Sequence, residues 1–142
     1  MTIIGSVKDF IMQCPYLDEL KRINVDFLTN ETNAYSIEEQ PAEIVTRQFI
    51  DGSSERQFVF VFATTFLYNE ELQNNIENCG FFEKFADWLE HCTLTQQLPK
   101  MPNKCTAWKI EATGNGYLFG VDEDMKYARY QIPCKLMYDK EI

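Results

Sequence analysis

The sequence predicts an α+β domain in which a largely antiparallel β-sheet carries one long and one short helix on one face. The predicted elements follow the order helix, four strands, long helix, three strands. Strands that occur in runs, and do not alternate one by one with helices, are typical of an antiparallel sheet. A length of 142 residues fits a single domain, which we place at residues 1–142.

Two segments have the apolar spacing of amphipathic helices. The first runs from Ile3 to Gln13, where apolar residues recur at offsets of three and four, and Cys14-Pro15 ends it. The second follows Asn69, a candidate N-cap, and keeps helical spacing as far as His91. Gly80 lies inside this segment and costs about 1 kcal/mol relative to alanine, so we expect a kink or break there.

Seven segments have the alternation or composition of β-strands. They are Ile23–Phe27, Tyr35–Glu39, Ile44–Ile50, Glu55–Leu67, Cys105–Ala112, Tyr117–Val121 and Met125–Tyr138. Asp51-Gly52 predicts a turn, and the two serines after it indicate a loop longer than two residues. Gly114-Asn115-Gly116 predicts a hairpin turn. Pro133 cannot donate to a strand ladder, so the last strand is expected at a sheet edge or with a bulge there.

The segment Glu55–Leu67 predicts burial on both of its faces. Phenylalanines occupy one face, while valines and an alanine occupy the other. Thirteen residues would extend about 43 Å, whereas ordinary strands have roughly 3 to 10 residues. Two helices cover only one face of a sheet, so we expect an identical subunit to cover the other. The interface candidates on this strand are Phe58, Val59, Phe60, Val61 and Phe62.

Composition and charge exclude several classes of protein. Aromatic residues make up 14% of the chain, which excludes a disordered acidic tail. A net charge of −9 argues against stable binding of nucleic acid. No apolar run reaches the roughly 20 residues of a membrane span. Five cysteines without a CxxC pair, and a start that lacks the features of a signal peptide, indicate synthesis in the cytoplasm with reduced thiols.

The residues that could carry chemistry do not form a recognisable set. The only histidine, His91, is followed by Cys92, but neighbouring residues on a helix point in different directions and make no dyad. Cys79 and Cys105 do not complete the paired spacing of a zinc site. The acidic run Asp122-Glu123-Asp124 lacks the glycine and glutamate of a calcium loop. We therefore predict no enzyme activity, no cofactor and no metal.

Four stretches of the sequence carry a resemblance to a known family. They are PAEIVTRQFIDGSSERQFVFVFA, NIENCGFFEKFADWLE, KIEATGNGYLF and DMKYARYQIPCKLMYDKE. Together they resemble small tail-completion proteins of phages and phage-derived particles of Gram-positive hosts, which are often labelled minor capsid proteins and are similar to tail terminators. The resemblance spans roughly residues 35 to 140 and consists of whole segments, without a short diagnostic motif.

The resemblance implies a structural protein of a virion or tail-like particle, located at the tail–neck junction. Such proteins form a hexameric ring that caps the tail tube, stops its polymerisation and presents a surface to the neck or head. The implied partners are the tail tube protein, a neck or head-completion protein and, in a contractile tail, the sheath or its cap. DNA only passes through the ring. The family implies no catalytic residue and no cofactor.

A ring needs contacts between unlike surfaces that close by rotation. The long strand Glu55–Leu67 and its hairpin partner Ile44–Ile50 are the candidate arm that reaches the neighbouring copy, which adds Ile44 and Phe49 to the interface candidates. Carboxylates that line the lumen would repel passing DNA. The candidates for this role are Asp122, Glu123 and Asp124.

The sequence leaves two alternative functions open. One is another head–tail connector component. The other is a small intracellular ligand-binding domain or enzyme, in which aromatic side chains line an apolar pocket with a few converging polar groups. In that case Trp108, Tyr117 and Tyr130 are the candidate pocket walls.

Overall fold

Helices and strands occur in the order that the sequence predicts. The computed structural model describes residues 2–17, 22–25, 34–67, 72–102, 104–121 and 127–142. The helices are α1 (Ile3–Ile11) and α2 (Leu72–Leu94). The strands are β1 (Arg22–Val25), β2 (Ala34–Glu39), β3 (Val45–Gln48), β4 (Ser54–Leu67), β5 (Cys105–Ala112), β6 (Tyr117–Val121) and β7 (Tyr127–Lys140). The predicted α+β fold class is confirmed.

The long strands β4 and β7 form the centre of a sheet that contains seven strands over the described residues. They pair antiparallel over their whole length, from Ser54 opposite Lys140 to Leu67 opposite Tyr127. On its other edge β4 pairs with β2 and β3 in succession, and β7 pairs in the same way with β5 and β6. All of these pairings are antiparallel, and among the described strands only β1 pairs parallel, with β2. Each central strand is thus flanked by two shorter strands placed end to end.

This topology corrects two predictions. β5 and β6 both pair with β7 and run in the same direction, so the segment from Gly114 to Gly116 is a break in one sheet edge and not a hairpin turn. Pro133 lies in the central strand β7, without a bulge against β4. Its carbonyl oxygen accepts a hydrogen bond from Thr113 N at 2.8 Å. Its missing N–H therefore faces the β5–β6 break, where no ladder hydrogen bond is lost.

Helix α2 passes through Gly80 without interruption, so a break at this residue is wrong, and a kink there stays a prediction. The side chains of Phe82, Phe85, Leu89 and Cys92 follow at offsets of three and four and are all buried. Packing of such an apolar face stabilises a helix more than the propensity of one residue weakens it.

One hydrophobic core lies between the two helices and one face of the sheet. Aromatic rings connect its layers, as the ring centroids of Phe62 in β4 and Phe85 in α2 lie 4.6 Å apart. Tyr35 of β2 stacks on Phe62 at 5.3 Å, and Phe10 of α1 stacks on Trp88 of α2 at 4.9 Å. Both helices therefore pack on the same face of the sheet, as predicted.

Candidate assembly surface

The helix-covered face of β4 corrects part of the interface prediction. Phe58, Phe60 and Phe62 are buried in the core of the single chain. These rings are not available at the protomer surface, because α1 and α2 cover the face to which they belong. They need no neighbouring copy, and their assignment as interface residues was wrong.

The opposite face of β4 is also largely buried within the chain. Val61, Ala63 and Thr65 are each at most 5% exposed, and Val59 is half-buried. Neither Val61 nor Ala63 belongs to the helix-covered core. Val61 therefore needs no partner subunit to bury it, and the half-buried Val59 exposes only part of its side chain.

An ion pair crosses this second face of the sheet. Arg129 Nη2 of β7 donates to Glu38 Oε2 of β2 at 2.6 Å, although β2 and β7 are separated by β4. Glu38 lies opposite Val61 in the ladder, and Arg129 lies opposite Thr65. The ion pair thus passes over Ala63, which lies between those two positions. Small side chains on β4 leave room for long polar side chains above them.

Hydrogen bonds extend this ion pair to the β6 edge of the sheet. Arg129 donates from Nε and Nη2 to Gln131 Oε1 at 3.1 and 3.0 Å, and Gln131 Nε2 donates to Tyr117 Oη at 2.6 Å. The Arg129 guanidinium also lies 5.0 Å from the ring centroid of Phe119. Ser36 of β2 lies in the same row of the sheet as Ala63 and Gln131. Its buried hydroxyl has no hydrogen-bond partner among the described residues. Polar side chains of the protomer itself thus cover much of this face.

Replacement of Arg129 by methionine is expected to lower the free energy of unfolding by about 1–3 kcal/mol. The partly buried Glu38 and the buried Gln131 would both lose a charged donor. The side chains of the ion pair are 25% and 22% exposed, so the effect should fall short of that for a fully buried pair. Urea unfolding followed by circular dichroism measures the change.

Lys109→Met is the matched control for this substitution. Lys109 pairs with Glu111 at 3.1 Å, but the two side chains are 41% and 33% exposed. Loss of this ion pair should lower the free energy of unfolding by about 0.5 kcal/mol or less. Equal losses for the two variants would contradict the role given to the Arg129 network.

Exposed apolar side chains concentrate at two opposite edges of the sheet. Of the twelve large apolar side chains exposed among the described residues, seven lie at these edges. We call residues 44–50 the β3 edge, with Ile44, Phe49 and Ile50 exposed. We call Tyr117–Val121 the β6 edge, where every residue except Gly120 is exposed. Ile44 and Phe49 remain predicted interface residues.

The sequence-based interface prediction did not include the β6 edge. The available signal was the segment Tyr-Leu-Phe-Gly-Val, which has no charged residue and does not alternate apolar with polar side chains. A half-buried strand would show such alternation. The lumen candidates Asp122, Glu123 and Asp124 follow this segment and lie outside the described residues.

The side chains considered for catalysis do not converge on one site. His91 is exposed near the end of α2, and Cys92 is buried. Burial raises the pKa of the Cys92 thiol, which opposes formation of the nucleophilic thiolate. Within the described ranges, no group of three His, Cys, Asp or Glu side chains could hold a metal ion.

The three candidate walls of the predicted aromatic pocket differ in their exposure. Tyr130 is buried in the core, while Trp108 and Tyr117 are exposed. Three surface grooves formed by described residues, of about 460, 440 and 380 Å³, are lined by none of these three side chains.

Neither helix, over the residues described, is both long and apolar enough to span a membrane. Compared with models of protein families and with curated protein sequences, the chain matches none.

Proposed function

We propose that this protein is a structural subunit of a phage tail or tail-like particle, which assembles as a ring of about six copies on the tail tube and ends its polymerisation. The observation that carries the proposal is the pair of unlike apolar edges, β3 and β6, on opposite sides of one sheet. The resemblance of the four sequence stretches to tail-completion proteins supplies the particular role.

Termination requires a subunit with two unlike faces. A tube grows because each ring offers the next ring the same surface, so a terminator must match the ring below and mismatch another tube subunit above. Contacts between unlike edges of identical copies close into a ring when the rotation between copies divides a full turn. The tail tube protein would bind one rim, and a neck or head-completion protein, or a sheath component, would bind the other.

The negative charge suits a conduit for DNA. Each copy carries a net charge of −9, so a ring would repel the phosphate backbone and let DNA pass without stable binding. The acidic residues 122–124 remain candidates for the lumen. The protein would then reside at the tail–neck junction of the assembled particle.

The proposal is tested with particles produced in the absence of this protein. We expect electron micrographs to show tails that exceed the normal length, and supply of the wild-type protein should restore that length. Normal particles would overturn the proposal. Tails of normal length without heads would overturn termination and support a head–tail connector.

A further inference from the structure

We infer that neighbouring copies join by strand addition between unlike edges, with the β3 edge of one copy paired to the β6 edge of the next. Closure of these contacts into a ring rests on the proposed function, whereas the contact itself rests on the two edges. An unpaired strand offers a row of backbone donors and acceptors to another chain.

The β6 edge has the features of a strand that accepts a partner. β6 pairs with β7 on one side, and no described strand pairs with its other side. Tyr117, Leu118, Phe119 and Val121 are exposed. Proteins commonly protect a free edge with lysine, other charges, proline or a β-bulge. β6 contains no charge and no proline, and its register against β7 shifts between Leu118 and Gly120. An exposed apolar edge without charged residues marks an interaction site.

The β3 edge is free in the same way on the other side of the sheet. β3 pairs with β4, and its outer side faces no described strand. Ile50, at the turn that joins β3 to β4, is fully exposed, and Ile44 and Phe49 are also exposed. Asp51 Oδ1 accepts a hydrogen bond from Ser53 N at 2.9 Å within this turn, and Gly52 adopts a φ of 93°. The turn thus presents Phe49 and Ile50 on an ordered loop.

Charge favours a second copy as the partner of these edges. Two copies at −9 each repel, so contact is favoured where acidic residues are few. The β6 edge has no charged residue, and Arg47 is the only charged residue within the β3 edge. The nearby Glu55 carboxylate accepts a hydrogen bond from Thr46 Oγ1 at 3.0 Å within the chain. A guanidinium is attracted to aromatic faces, and the β6 edge exposes Tyr117 and Phe119. The same type of contact occurs within the chain, where Arg47 lies 5.5 Å from the ring centroid of Phe49.

The positions of the two edges allow head-to-tail contacts to continue from copy to copy. β3 pairs with the beginning of β4, at Ser54 to Arg56. β6 pairs with Ala128 to Gln131 of β7, opposite the end of β4. The edges therefore lie on opposite sides and at opposite ends of the central strand pair. A copy joined through its β6 edge keeps its β3 edge free for a third copy.

The test uses two single variants of the full chain and a matched control. Leu118→Glu places a charge on the β6 edge, and Ile50→Glu places one on the β3 edge. Leu94→Glu makes the same kind of change at an exposed residue at the end of α2. In analytical ultracentrifugation, each edge variant should require at least about tenfold more protein to assemble, whereas Leu94→Glu should assemble like the wild type.

Mixing the two edge variants separates unlike from like contacts. Each variant keeps one intact edge, so the mixture should form a dimer of one Leu118→Glu copy and one Ile50→Glu copy, and no larger species. If β6 instead paired with β6, Ile50→Glu would form dimers alone and the mixture would form no mixed dimer. That result would overturn the inference.

Folding and function are checked separately. Phe119→Ala removes an exposed ring without adding a charge, and it should weaken assembly while leaving the thermal midpoint near that of the wild type. Wild-type protein that stays monomeric at its highest soluble concentration would overturn the inference. Assembly through β3 and β6 by a protein that leaves tail length unaffected would support the inference and overturn termination. Tail capping by both edge variants would overturn the inference and support termination.

Discussion

Replacement of Phe62 by alanine is expected to lower the free energy of unfolding by about 3–5 kcal/mol, because it leaves a cavity in a closely packed core. Phe62 is fully buried, and its ring stacks on Tyr35 of β2 and on Phe85 of α2. The substitution removes contacts that join the sheet to the long helix. For a chain of this length, the thermal midpoint should fall by about 10–20 °C.

Phe119→Ala is the matched control for this prediction. Phe119 is 62% exposed, so the same truncation creates no core cavity. Its free energy of unfolding should fall by about 1 kcal/mol or less, from loss of the contact with the Arg129 guanidinium. Calorimetry at a concentration below assembly compares the two variants. Comparable losses would show that Phe62 does not have the core role described above.

Replacement of Gly116 by alanine is expected to destabilise the fold by about 1–3 kcal/mol or more, through overpacking. A Cβ at this position would overlap Phe82 Cβ and lie 2.5 Å from Phe82 Cγ. Phe82 is buried, and its Cβ is attached directly to the α2 backbone, so it cannot move aside by rotating a flexible end. Either α2 or the segment between β5 and β6 must shift.

Two other glycines serve as controls for Gly116→Ala. Gly120 and Gly80 have no neighbouring atom within 4 Å of a built Cβ. Gly120→Ala should change stability by about 0.5 kcal/mol or less. Gly80→Ala should raise it by up to about 1 kcal/mol, since alanine favours the helix. Chemical denaturation measures all three, and a neutral Gly116→Ala would refute the close packing of this segment on α2.

Short-range patterns were sufficient for much of the fold. The predicted bounds of Cys105–Ala112 and Tyr117–Val121 match β5 and β6, and the long strand before α2 differs by one residue. Strand and helix periodicity depend on residues two to four positions apart, which the sequence displays directly. The loop of five residues between Gln48 and Ser54 was also foreseen as longer than two residues.

Predictions that depended on distant neighbours were less successful. The sequence indicated two apolar faces on β4, but it did not show that Glu38 and Arg129, 91 residues apart, would meet above Ala63. The edge or bulge predicted at Pro133 and the hairpin turn predicted at Gly114–Gly116 were wrong, because β5 and β6 lie end to end along β7. The pairing partner of a strand is a long-range property, and it determines which edges are free.

By itself, the sequence determined the order of the elements, the α+β class and the phenylalanine-rich face of the long strand, since these follow from local alternation and apolar content. Only the tertiary structure decided that Phe58, Phe60 and Phe62 belong to the core while Tyr117–Val121 forms an exposed edge. The physical reason is that burial depends on what packs against a residue. In this chain α2 and the Arg129 network supply that cover from positions remote in sequence.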